Sequence, residues 1–211
     1  FEVTDMQVEH ISVRPHDRVA AFLSEDLAAV DALIQERMAS RHAPRIPEVT
    51  RHLVEGGGKR IRPMLTLAAA RLCGYEGAHH IRLAATVEFI HTATLLHDDV
   101  VDGSDMRRGK QAANVVFGNP AAVLVGDFLF SRSFELMTED GSLRVLKILS
   151  GASAIIAEGE VDQLTAQRQL ETSEERYLQI VGAKTAALFA AACRIAAVVA
   201  ERDSETEQAL D

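Results

Sequence analysis

The sequence has no tryptophan, two tyrosines, two cysteines and only 5% aromatic residues. A β-sandwich draws on aromatic and β-branched residues at every second position, and no such alternation is visible. Aliphatic residues and alanine dominate instead, which favours packed helices. Cys73 and Cys193 lie far apart in apolar contexts. They make neither a disulfide framework nor a zinc pattern, and they suit a reducing, cytoplasmic compartment. Positive charge is also scarce. A net charge of −9 argues against a nucleic-acid binder, so any anionic ligand must meet a local basic cluster or a bound cation. Long hydrophobic runs are missing as well. The most apolar run, 186–200, is too short to span a bilayer and contains Arg194. No signal peptide is visible. The chain begins at Phe1 without an initiator methionine and stops at Asp211 within a helical pattern, so both ends read as cut. At 211 residues the expectation is one all-α domain over 1–211, a helical bundle.

Apolar spacing predicts an amphipathic helix over 17–40, with Val19, Phe22, Leu23, Leu27, Val30, Leu33 and Ile34 on its buried side. Pro44 and Pro47 reset the chain before a short helix to Leu53, which Gly56-Gly57-Gly58 ends. Further helices are expected from near Pro63 to Gly74, over 79–102, 120–138, 142–169 and 173–200. Ser173 followed by Glu174 and Glu175 reads as an N-cap with acids in the first turn. The polar, basic stretch 104–119 reads as a loop.

Asp98-Asp99-Val100-Val101-Asp102 is the sharpest feature. Asp98 and Asp102 are four apart, so on a helix their carboxylates share a face. Like charges at that spacing cost roughly 0.2–0.5 kcal/mol. The last turn of a helix disfavours anions by about another 0.3–1 kcal/mol each. No Lys or Arg lies one turn earlier to compensate. Oxygen-only ligands point to a hard cation, and the spacing suits Mg²⁺ bridging to phosphates. A solvated acidic helix end is the plain alternative. His97-Asp98, with His91 or the His79-His80 pair, leaves a metal-dependent phosphohydrolase as a competing reading.

Gly57-Gly58-Lys59-Arg60-Ile61-Arg62-Pro63 gathers cations at a helix start, where they are unfavourable unless an anion binds. Arg107-Arg108-Gly109-Lys110 follows the aspartates, and Lys184-Thr185 interrupts an apolar helix. A lone lysine there can simply snorkel. Together these clusters describe a pocket for two polyphosphates and divalent metal.

In this order the motifs, with Gly126-Asp127, resemble the trans-isoprenyl diphosphate synthase, or polyprenyl synthetase, family. The likeness runs from about Leu53 to Ala200 and is strongest to long-chain bacterial enzymes that make the octaprenyl or decaprenyl tail of ubiquinone. It implies head-to-tail condensation of isopentenyl diphosphate with an allylic diphosphate, Mg²⁺ as cofactor, and a homodimer. It also implies roles. Lys59, Arg62, His91 and Arg108 would hold isopentenyl diphosphate. Asp98 and Asp102 would bind the metal. Arg107, Lys184, Thr185 and Gln163 would serve the allylic diphosphate, and Asp98, Asp102 and Lys184 would be catalytic. Small residues before the first aspartate, Ala93 and Thr94, with Val87 and Ala84 behind them, would wall a channel for a long product. The family carries a second aspartate-rich motif on a later helix. No second Asp-Asp pair follows Asp99 here, so the chain alone is expected to be inactive. A shorter-chain synthase and a non-catalytic subunit of a heteromeric synthase are the alternatives.

Overall fold

A computed structural model describes residues 14–40, 42–55, 57–166 and 172–211. Phe1, Gly56 and Gln169, where sequence reading placed the chain start, a helix break and a helix end, lie outside the described residues. Helices dominate: α1 (Pro15–Phe22), α2 (Ser24–Met38), α3 (Arg45–Glu55), α4 (Ile61–Leu72) and α5 (His79–Val101) come first. After β1 (Met106–Arg107) and β2 (Lys110–Gln111) follow α6 (Ala113–Phe117), α7 (Asn119–Asp140) and α8 (Leu143–Ala166). Then come α9 (Glu174–Val181), a π-helical turn (Gly182–Ala186), α10 (Ala187–Val199) and α11 (Ser204–Ala209).

The α5 helix is the axis of the bundle. It buries residues on all sides, among them Leu83, Ala84, Val87, Phe89, Ile90, Ala93 and Leu96, as a helix surrounded by others must. One apolar cluster joins α2, α4 and α7 to α5 through Ile34, Leu67, Phe89 and Leu129. A second joins α8 and α10 to α5 through Leu149, Leu188, Ile195 and Ile90. Ala84 packs in the first cluster and Val87 in the second, and both are fully buried.

Three expectations change. The helix over 17–40 is two helices, broken at Leu23, where the chain leaves helical geometry (φ −100°, ψ 16°). The break turns Val19 and Phe22 outward, and Phe22 is 77% exposed. The loop over 104–119 contains a two-residue antiparallel hairpin and α6. Strands this short offer no alternation to read. Arg108 and Gly109 form its turn with φ of 53° and 79°, as a type I′ turn requires. Finally, the helix after Ser173, whose Oγ does accept from Arg176 N–H at 3.2 Å, is interrupted by the π-helical turn.

The stretch Glu174–Val199 is long and apolar enough to cross a membrane by length and composition. Its α10 part buries Leu188, Ala191, Ala192, Ile195 and Ala196 inside the protein. Cys73 and Cys193 are both free.

Candidate active site

The acidic pole is the C-terminal end of α5. Asp98 is half-buried, Asp99 buried and Asp102 exposed. Burial, then the nearby charge of Glu160 on α8, push the Asp98 carboxyl up to about 6. Lys184 opposes that shift and Asp102 adds to it. The counter-charges missing from the local sequence arrive through the fold. Arg107, carried back by the hairpin, donates twice to Asp99 Oδ1, once at 2.9 Å from Nε. Asn114 Nδ2 donates to the carbonyls of Asp99 and Ser104, both at 3.1 Å, and so ties α6 to the helix end. Lys184 Nζ lies 2.7 Å from Glu160 Oε2 and donates to Gln163 Oε1 at 2.6 Å. Thr185 beside it is exposed.

The basic pole is a cleft of about 470 Å³ that brings together Lys59, Arg62, His91 and Arg108, all four residues expected to share one ligand. Its far wall is Phe189 on α10, whose ring lies 4.3 Å from the Arg62 guanidinium carbon. Arg62 Nη1 is 3.1 Å from His91 Nε2. Burial, then the guanidiniums of Arg62 and Arg108, push the His91 imidazole down to about 3, so it is neutral. Burial also lowers Arg62 from its usual range. Arg108 donates to the Gly57 carbonyl. A Cβ on Gly58 would meet Arg108 Nη1 at 2.6 Å, so a larger residue there would push the Arg108 guanidinium aside.

Arg60 is not free for a ligand. It bonds Glu88 Oε1 at 2.5 Å and Asp31 Oδ1 at 3.1 Å. Glu88 is a buried carboxylate inside an otherwise cationic cleft. His16 on α1 meets the Lys59 carbonyl at 3.2 Å and braces the loop from the N-terminal side.

The histidines of the phosphohydrolase reading scatter. His79 pairs with Asp140, His80 faces Asp26, and His97 faces Asp127 and the Val123 carbonyl. Among the described residues no three His, Cys, Asp or Glu side chains converge as a ready-made metal site.

A polyprenyl synthetase family model matches residues 43–211. The chain belongs to the polyprenyl synthetase family. Octaprenyl diphosphate synthase of Escherichia coli (strain K12) is 49% identical over 194 residues, covering 92% of this chain and 60% of that protein. The crystal structure of a decaprenyl diphosphate synthase from Rhodobacter capsulatus matches with a TM-score of 0.91 at 63% identity, covering 93% of this chain and 60% of that one. A polyprenyl synthase from Caulobacter crescentus CB15, crystallised with calcium and isoprenyl diphosphate, matches at 0.90 and 54%, over 92% of this chain and 59% of its own. The chain thus spans about 60% of the length of the curated relatives it matches first.

Polyprenyl synthetases use divalent metal, and the acidic pole suits one. Asp98 is half-buried, and burial first, then the charges of Glu160 and Asp102, disfavour its ionised form, so a cation placed there would relieve the cost. Asp98 and Asp102, one helical turn apart, are the side chains that would hold a divalent cation there, and oxygen donors of this kind suit a hard ion. The chain-length positions differ from each other. Ala93 is fully buried in the core with Leu96 and Leu129. Thr94 is half-buried, its hydroxyl donating to the His91 carbonyl at 2.8 Å.

Sequence reading passed over Glu160, Glu88, His16 and the Asp99–Arg107 pair. One signal was present: Gly159 in the middle of a long helix, next to Glu160. An interior glycine weakens a helix by about 1 kcal/mol and marks a close approach.

Proposed function

We propose that the protein is a prenyltransferase that condenses isopentenyl diphosphate head to tail onto an allylic diphosphate, and that residues 1–211 belong to one all-α domain whose C-terminal part is not in this chain. One observation carries the reading. His91 in the basic cleft and Asp98 at the acidic pole are seven residues apart on α5. Two turns place them on the same side, about 10 Å apart, so two diphosphates can lie side by side with their tails aligned.

Lys59, Arg62 and Arg108 bind isopentenyl diphosphate, Arg with paired donors and Lys as a point charge. Neutral His91 contributes a hydrogen bond without adding charge. Asp98 and Asp102 would hold Mg²⁺, which when bound would supply charge stabilisation to the departing allylic diphosphate. Lys184 and Thr185 stand beside that leaving group, and Arg107 has Nη1 to offer it, since Asp99 engages Nε and Nη2. The isopentenyl double bond attacks the allylic cation, and the proton then lost goes to the released diphosphate. The bundle interior keeps water from the cation.

The product is a long polyprenyl diphosphate for a quinone side chain. Similarity to octaprenyl and decaprenyl synthases supports that length. So does Thr94, a small, half-buried side chain one turn before Asp98. Thr94→Phe is expected to shorten the product and leave the first condensation intact. Ala93→Phe is a poor test, because overpacking a closed core costs about 1–3 kcal/mol. The exposed α7 side chains Val123, Leu124 and Phe134 support a homodimer, and two free cysteines support a cytoplasmic location.

The test is product chromatography with labelled isopentenyl diphosphate, an allylic primer and Mg²⁺. It uses the 211-residue chain and a chimera continuing from Asp211 into the Rhodobacter capsulatus relative. The chimera is expected to make long products and the chain alone none. A chimera that binds neither substrate would end the proposal.

A further inference from the structure

Lys184 does not reach into solvent. Its side chain is 17% exposed, and its ammonium sits between Glu160 Oε2 at 2.7 Å and Gln163 Oε1 at 2.6 Å. The two acceptors are three apart on α8, so they occupy one face. Glu160 is itself only 22% exposed, and a pair this sheltered is screened less than a surface bridge. Two backbone features bring the lysine there. The π-helical turn over Gly182–Ala186 adds a residue to the helical turn that carries it. Gly159 lets α8 pass against that turn. A Cβ there would lie 2.8 Å from Ala183 Cβ, which has no rotamer to move, and a tight 3.2 Å from Lys184 N, so the turn itself would have to shift. Both features weaken a helix, and both sit where Lys184 meets α8. Glu160 also faces Asp98 across the gap between α8 and α5.

An ammonium has three donors. Two are taken by α8, and one remains. The geometry points to Glu160 as a positioning residue: with Gln163 it holds the Lys184 ammonium beside Asp98 and leaves one N–H for an oxygen of the bound diphosphate. This assigns Gln163 to the lysine and not to the ligand directly, and it rests on the diphosphate reading above. A lysine without this cradle would still carry its charge, but the charge would be free to leave the site.

The experiment is calorimetric titration of the 211-residue chain with inorganic diphosphate in the presence of Mn²⁺, with circular dichroism to verify the fold of each variant. Lys184→Met should weaken binding at least about tenfold, the usual loss for a charge-assisted hydrogen bond. Glu160→Leu should weaken it nearly as much although the lysine is intact, and Gly159→Ala should do the same by displacing the turn. Glu160→Gln, which keeps an acceptor at the same reach, should recover most of the loss. If Glu160→Leu disturbs the fold, Gln163→Leu carries the test, with an expected loss of about threefold. Binding by Glu160→Leu or Gln163→Leu equal to wild type, alongside a weakened Lys184→Met, overturns the positioning role and leaves the diphosphate site standing. Lys184→Met binding as tightly as wild type removes the diphosphate reading itself.

Discussion

The acidic end of α5 and the basic cleft around His91 both crowd like charges into partly buried space, and each contains a counter-charge. At the acidic end Asp99 is tied to Arg107, and Lys184 opposes the rise of Asp98. In the basic cleft Arg60 is tied to Glu88 and Asp31. The residue left over is shifted in each case, Asp98 up to about 6 and His91 down to about 3. The poles differ in origin. Asp98 and Asp102 come from one turn of one helix, whereas the cleft takes its residues from the loop before α4, from α4, from α5, from the hairpin and from α10. A charge cluster within one helix is rigid and preset. One assembled from five places depends on every contact that holds those places together.

The largest expected effect breaks the acidic pole. Asp98→Ala or Asp102→Ala should lower prenyl transfer in the chimera by orders of magnitude, since each tenfold is about 1.4 kcal/mol and a lost metal ligand costs several. Diphosphate titrations of the same variants with and without Mn²⁺ separate a lost cation from a lost fold. Near-wild-type turnover in either would sink the metal assignment.

Next comes Arg107→Ala, which probes whether the pair with Asp99 is structural. Removing one partner of a buried pair costs about 3–5 kcal/mol. Arg107 is a third exposed, so a loss somewhat below that is expected in urea denaturation. Arg62→Ala should cost less stability and more diphosphate affinity. The reverse order would show that the two arginines have been assigned the wrong way round.

Two pH experiments sharpen the comparison, both in ligand-free protein with chelator present. The Asp98 carboxyl titrates at about 6 when folded and near its ordinary 3.8 when unfolded. The folded state therefore binds the extra proton between these values, and wild type loses stability as pH rises through that window. Asp98→Asn should be more stable than wild type above about pH 6 and indistinguishable below about 4. His91 has the opposite sign. Its imidazole titrates at about 3 when folded and near 6.5 when unfolded, so wild type loses stability as pH falls from 6.5 towards 3. His91→Gln should show a flatter acid limb, a smaller effect because other groups also titrate there. Parallel acid limbs for both proteins would mean that His91 is not held neutral by the cleft.

The all-α class, the course of α5 and the pairing of Asp98 with Asp102 were legible in the residues alone, because each depends on helical spacing, and spacing is a property of neighbours in sequence. Ser173 as an N-cap was legible for the same reason. The break at Leu23 was not, since leucine is a good helix former and only packing against the rest of the bundle decides how α1 turns. Nor was the fate of individual charges. Lys59, Arg60 and Arg62 are alike in sequence, yet Arg60 is consumed by Glu88 and Asp31 while Lys59 and Arg62 line the cleft. Asp98 and Asp99 are adjacent, yet a hairpin returns Arg107 to one of them only. Helix periodicity fixes which direction a side chain leaves its own axis. What waits there, whether a counter-charge, a ring, a glycine gap or open space, comes from segments tens of residues away, and only the tertiary structure sets it.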